Sequence, residues 1–105
     1  MRKNEYGSLE EFISEYSGGR DPANGKWYGL EFMFHNCYYR LDNFTGKYEL
    51  LKIIFENGDR YPGASRYEEL CTFSTIDELL NSKVIENTEF KKVIMDDDTV
   101  ILGKD

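Results

Sequence analysis

The chain has 105 residues, 40% of them hydrophobic and 15% aromatic, enough to build one domain with its own core and too apolar for a disordered chain. Its formal net charge is −7, from 13 basic and 20 acidic side chains, a field that opposes phosphate backbones and argues against nucleic acid as a partner. The excess is uneven: residues 1–66 hold 9 basic against 10 acidic groups, whereas residues 67–105 hold 4 against 10.

Ser8-Leu9-Glu10-Glu11 is a capping-box pattern, in which the Ser8 hydroxyl accepts from the third amide while Glu11 reaches back to the Ser8 amide. A helix is predicted from there, with Leu9, Phe12, Ile13 and Tyr16 as its apolar stripe and Gly18-Gly19 as its end. Arg20 to Gly25 is dense in breakers and reads as a surface loop. Trp27 to Phe34 and Cys37 to Asp42 then alternate with aromatic enrichment, the strand signal. A two-residue turn at His35-Asn36 would set Phe34 opposite Cys37, Phe32 opposite Tyr39 and Leu30 opposite Leu41, making one hairpin face consistently apolar. His35 is an unusual turn residue, so a slide of the turn by one position is the competing register.

A third strand is predicted from Tyr48 to Phe55, before the hairpin signal Asn57-Gly58. The returning strand is expected to be short or irregular, because Tyr61-Pro62-Gly63 is a turn and proline cannot donate to a central ladder; extended structure resumes at Leu70 to Phe73. Ser74 and Thr75 offer overlapping caps to a short helix carrying Ile76, Leu79 and Leu80. Thr88 to Met95 has helical spacing in Phe90, Val93 and Ile94, with a strand over Val93-Ile94-Met95 as the alternative. Asp96-Asp97-Asp98 ends it, and Thr99 to Leu102 is a final β-branched strand before Gly103. The sum is a single α+β domain over residues 1–105: a mainly antiparallel sheet of four or five strands with two or three short helices packed on one face. The order of these last elements resembles that of many small bacterial domains and carries no chemistry.

No apolar run exceeds three residues, so no stretch reads as a membrane span. Arg2 and Lys3 are followed by Asn4-Glu5-Tyr6-Gly7-Ser8 where a signal peptide would be apolar, and the expected location is the cytoplasm. Cys37 and Cys71 lack a CxxC or a companion histidine at metal spacing, and are expected as buried free thiols. His35 is the only histidine, which excludes a multi-histidine metal site, and Asp96 to Asp98 lack the spacing of an EF-hand; no metal and no cofactor are predicted. Phosphate-cradling and hydrolase motifs are missing, and no catalytic residue is nominated.

The more informative surface is the second hairpin face, where alternation places Trp27, Gly29, Glu31, Met33 and His35, joined across the hairpin by Tyr38 and Arg40. Trp, Met, Tyr and Arg are enriched at interfaces, and Gly29 leaves a gap over which a ring could lie. A loop at 17–26 or a C-terminal element folding over this face is the competing arrangement. The expectation is an acidic protein-binding domain, of inhibitor or immunity type, that neutralises a basic partner such as a nuclease or toxin, using Trp27, Met33, Tyr38, Arg40, Asp96, Asp97 and Asp98. The alternatives are a small-molecule-binding or catalytic domain with a pocket lined by Tyr28 and Tyr39, and a homodimer built on the hairpin face.

Overall fold

A computed structural model describes residues 7–18, 28–44 and 47–104. The elements run α1 (Leu9–Gly18), β1 (Tyr28–Phe34), β2 (Cys37–Phe44), β3 (Lys47–Ile54), β4 (Arg66–Phe73), α2 (Ile76–Asn81), α3 (Phe90–Met95) and β5 (Val100–Lys104). The five strands form one antiparallel sheet in the order β4-β3-β2-β1-β5, so the α+β class stands, with five strands and three helices among the described residues. The loop at 20–25 and Trp27 lie outside the described residues, as does the Tyr16 side chain. Among the described residues no helix is long and apolar enough to cross a membrane.

The hairpin register is the predicted one, with Phe34 opposite Cys37, Phe32 opposite Tyr39 and Leu30 opposite Leu41. His35 and Asn36 both take left-handed backbone, φ 49° and 64°, which a two-residue type I′ turn demands, and the turn does not slide. Leu30, Phe32, Phe34, Tyr39, Leu41, Tyr48 and Leu50 therefore share one face, and all are buried. The helices cover that face: Phe90 of α3 meets Phe32 edge-on at 5.9 Å between centroids and Phe12 of α1 at 6.1 Å. Thr99, fully buried, satisfies its hydroxyl by donating to the Val93 carbonyl, which ties the end of α3 to the start of β5.

Four local expectations are refined or corrected. Glu11 closes the α1 cap on the Gly7 amide (3.0 Å), one residue before Ser8, while Ser8 Oγ accepts from the Glu11 amide at 3.2 Å. Of the two overlapping α2 caps, Thr75 is the one used, accepting from the Glu78 amide at 3.1 Å. The returning strand is irregular, as expected, but not short: Asn57 and Gly58 turn the chain (φ 54° and 84°), the loop 55–65 follows, and β4 then runs for a full eight residues. Its first four residues carry no alternation because β4 is an edge strand exposed there to water on both faces. A bulge then shifts the register, with Leu50 opposite Cys71 and Leu51 opposite Glu69, leaving Leu70 as the extra residue. Finally, Cys37 and Cys71 are free but only half-buried at the margin of the core, on strands separated by β3.

Candidate functional site

The tip of the β1–β2 hairpin meets two other turns. His35, projecting from the tip, stacks against the Phe34 ring at 3.8 Å and donates from Nδ1 to Glu86 Oε1 at 2.8 Å. Glu86 is held in a left-handed turn closed by the Thr88 amide on the Ile85 carbonyl. From the α3–β5 turn come Asp96 and Asp98, whose carboxylate oxygens lie with a ring nitrogen of His35 inside a mutual separation of 4.8 Å. The Asp98 amide donates to Asp96 Oδ1 at 2.8 Å, which fixes this turn. The hydrogen bond that His35 donates to Glu86, reinforced by the charges of Glu86, Asp96 and Asp98, raises the His35 pKa above its ordinary 6.5. A cleft of about 430 Å³ opens here, lined by Met33, His35, Asn36 and Asp98. Two separately nominated residues, Met33 and Asp98, are thus brought to one place, with Asp96 beside them and Asp97 exposed on the same turn.

Tyr38 and Arg40 sit elsewhere on the far face of the sheet. Arg40 lies flat across Gly29, its Nη1 on Glu31 Oε2 and its Nε on Asp42 Oδ1, both at 2.9 Å and with the guanidinium side chain only 14% exposed. The gap left by Gly29 is filled by this guanidinium, not by a ring: a Cβ there would stand 2.8 Å from Arg40 Cζ. Tyr38 is covered by the loop 55–65, whose Tyr61 ring stacks on it at 5.6 Å while Phe55 meets it edge-on at 5.1 Å. Tyr61 reaches further, donating its hydroxyl to Glu31 Oε1 at 2.7 Å. Among the described residues, the element that folds over this face is the β3–β4 loop. Tyr39, nominated for a ligand pocket, is buried and stacked on Phe32 at 5.4 Å, and burial, then the neighbouring Cys37, pushes its hydroxyl to about 12. The side chain of Tyr28 lies outside the described residues.

The β4 edge carries a feature that periodicity did not single out. Tyr67 is 50% exposed, with Glu68 and Glu69 exposed beside it, and Asp77 and Glu78 exposed on the helix that follows. From Tyr67 to Ser82 the chain has no basic residue. Arg66, just before, is shared between Glu56 at 2.8 Å and Glu68 at 3.9 Å, Lys52 stands opposite Glu68 on β3, and Glu69 accepts from Thr72 Oγ1 at 2.8 Å. On the far face Glu69, Glu49 and Asp42 approach one another closely enough that Glu49, partly desolvated and repelled by the other two, has its pKa raised.

Compared with protein-family models, curated proteins and solved structures, the chain matches none. Only one of these features left a trace in the sequence. The run of carboxylates without cations after residue 66 is visible in the charge count, but the exposure of Tyr67 follows only from β4 being an edge. The convergence of His35 with Asp96 and Asp98 joins residues more than sixty apart and leaves no spacing signal at all.

Proposed function

We propose that the protein is an acidic binding domain that docks a basic protein along its β4 edge, in the manner of an inhibitor or immunity-type protein that neutralises its target. The observation that carries this reading is Tyr67, half exposed on an edge strand and flanked by Glu68 and Glu69. A tyrosine of this kind supplies amphipathic contact area at small entropic cost, the edge supplies unpaired backbone groups, and the carboxylates select cationic partners. A second copy of the chain is the poorer occupant. Each copy carries the same exposed carboxylates, Glu68, Glu69, Asp77 and Glu78, around this edge, so the fields of two copies oppose their association. The catalytic alternative is weaker for a different reason: Tyr39, its proposed pocket wall, belongs to the core.

The test is capture from a cell extract on immobilised protein, comparing the wild-type chain with Tyr67→Ala and with the double variant Glu68→Lys, Glu69→Lys. A basic protein retained by the wild type, lost on the charge reversal and weakened about thirtyfold or more by Tyr67→Ala supports the reading. Capture that is equal for all three proteins, or recovery only of the chain itself as a dimer, contradicts it.

A further inference from the structure

We propose that the hairpin tip is a binding site for a divalent first-row transition-metal ion, zinc being the ion of choice, held by His35, Asp96 and Asp98. A ring nitrogen of His35 and one carboxylate oxygen each from Asp96 and Asp98 lie within 4.8 Å of one another, and they come from two turns, the β1–β2 turn and the α3–β5 turn. An ion with bonds of about 2.0–2.2 Å sets tetrahedral donors roughly 3.3–3.6 Å apart, so a rotation of the exposed Asp98 carboxylate closes the set.

An imidazole nitrogen joined to carboxylates favours zinc and its neighbours over calcium or magnesium, which take oxygen donors alone. The second observation concerns the other side of the ring. Glu86, from a third turn, accepts from His35 Nδ1 at 2.8 Å, which leaves Nε2 as the nitrogen with a free lone pair and fixes the ring plane. A carboxylate behind a ligating histidine is the usual outer partner of such sites, orienting the ring and making it a better base. The ring is held from one face as well, by Phe34 at 3.8 Å. Three carboxylates thus converge on one imidazole, and no lysine or arginine among the described residues forms an ion pair with Asp96, Asp98 or Glu86. The adjoining cleft beside Met33 and Asn36 has room for water to complete the coordination. This site is independent of the β4 edge and of the partner proposed for it.

The experiment is a calorimetric titration of the full chain with Zn²⁺, repeated with Mg²⁺ and on four variants whose folding is checked by circular dichroism. His35→Asn keeps a residue that accepts left-handed backbone at the turn. Asp98→Asn removes a ligand, Glu86→Gln removes the outer carboxylate, and Asp97→Asn removes an equal charge from the same turn without touching the set. One Zn²⁺ per chain is expected, not displaced by excess Mg²⁺, with affinity lowered about tenfold or more by His35→Asn, Asp98→Asn and Glu86→Gln and within about twofold of wild type in Asp97→Asn. Should His35→Asn fail to fold, the contrast between Asp98→Asn and Asp97→Asn decides alone. Absence of stoichiometric Zn²⁺ binding, equal losses in Asp97→Asn and Asp98→Asn, or equal competition by Mg²⁺ would overturn the proposal, leaving an imidazolium paired with Glu86 on an acidic surface.

Discussion

Gly29 and Arg40 depend on one another. With no Cβ at position 29, the guanidinium lies against the strand and keeps both of its carboxylates, Glu31 and Asp42, in a partly buried network. Gly29→Ala is therefore expected to cost about 1–3 kcal/mol in denaturant unfolding by dislodging that network. In an Arg40→Ala background the same change becomes neutral or stabilises by up to about 1 kcal/mol, since alanine suits a strand better than glycine once the space is empty. An unchanged cost in both backgrounds would show the clash to be with something other than Arg40. Glu49 gives the pH counterpart. Its pKa is raised in the fold by desolvation and by Glu69 and Asp42, so the stability linked to its protonated form is present at low pH and lost as the pH rises through that raised value. Glu49→Gln, a mimic of the protonated side chain, should raise the melting temperature at pH 7 and leave it unchanged near pH 3, read by thermal unfolding at both.

Among the elements, the loop 55–65 does the most that alternation alone does not reveal. Asn57-Gly58 carries the strongest hairpin signal in the chain and makes its turn, with the Asp59 amide on the Glu56 carbonyl at 2.9 Å, yet the strands it separates do not pair at once. The chain first runs back over the sheet so that Tyr61 reaches Glu31, and only then enters β4, where the Ser65 amide closes on the Ile54 carbonyl at 2.9 Å. The first hairpin was legible because its buried face imposes strict alternation and its turn has two residues. The first half of β4 was not, because an edge strand wet on both faces is under no such constraint, and the hairpin-tip cluster was not, because tertiary packing alone brings its residues together. Tyr61→Ala should release the loop, and trypsin should then cut after Arg60 faster than in the wild type while the global unfolding midpoint moves much less. An unaltered cleavage rate would mean that Tyr61 does not hold the loop down.

On the scale of the whole molecule the charge is arranged rather than merely abundant. Arg40 is spent on Glu31 and Asp42 and Arg66 on Glu56 and Glu68, whereas Glu69, Asp77 and Glu78 face water along a stretch of sequence, Tyr67 to Ser82, that carries no basic residue. Exposed charges separated by more than about 10 Å are screened at roughly 0.1 M salt, so their influence on a partner falls mainly on the rate of encounter. The aromatic at their centre acts instead on the lifetime of the complex. The central claim is tested most directly by the association rate with the captured basic protein, measured by stopped flow as salt is raised from roughly 20 to 300 mM. The rate is expected to fall about tenfold or more for the wild-type chain and to be slower and nearly independent of salt for Glu68→Lys, Glu69→Lys, while Tyr67→Ala raises the dissociation rate and leaves the salt dependence intact. A wild-type rate indifferent to salt, or one unaffected by the charge reversal, would contradict an acidic edge that gathers a basic partner.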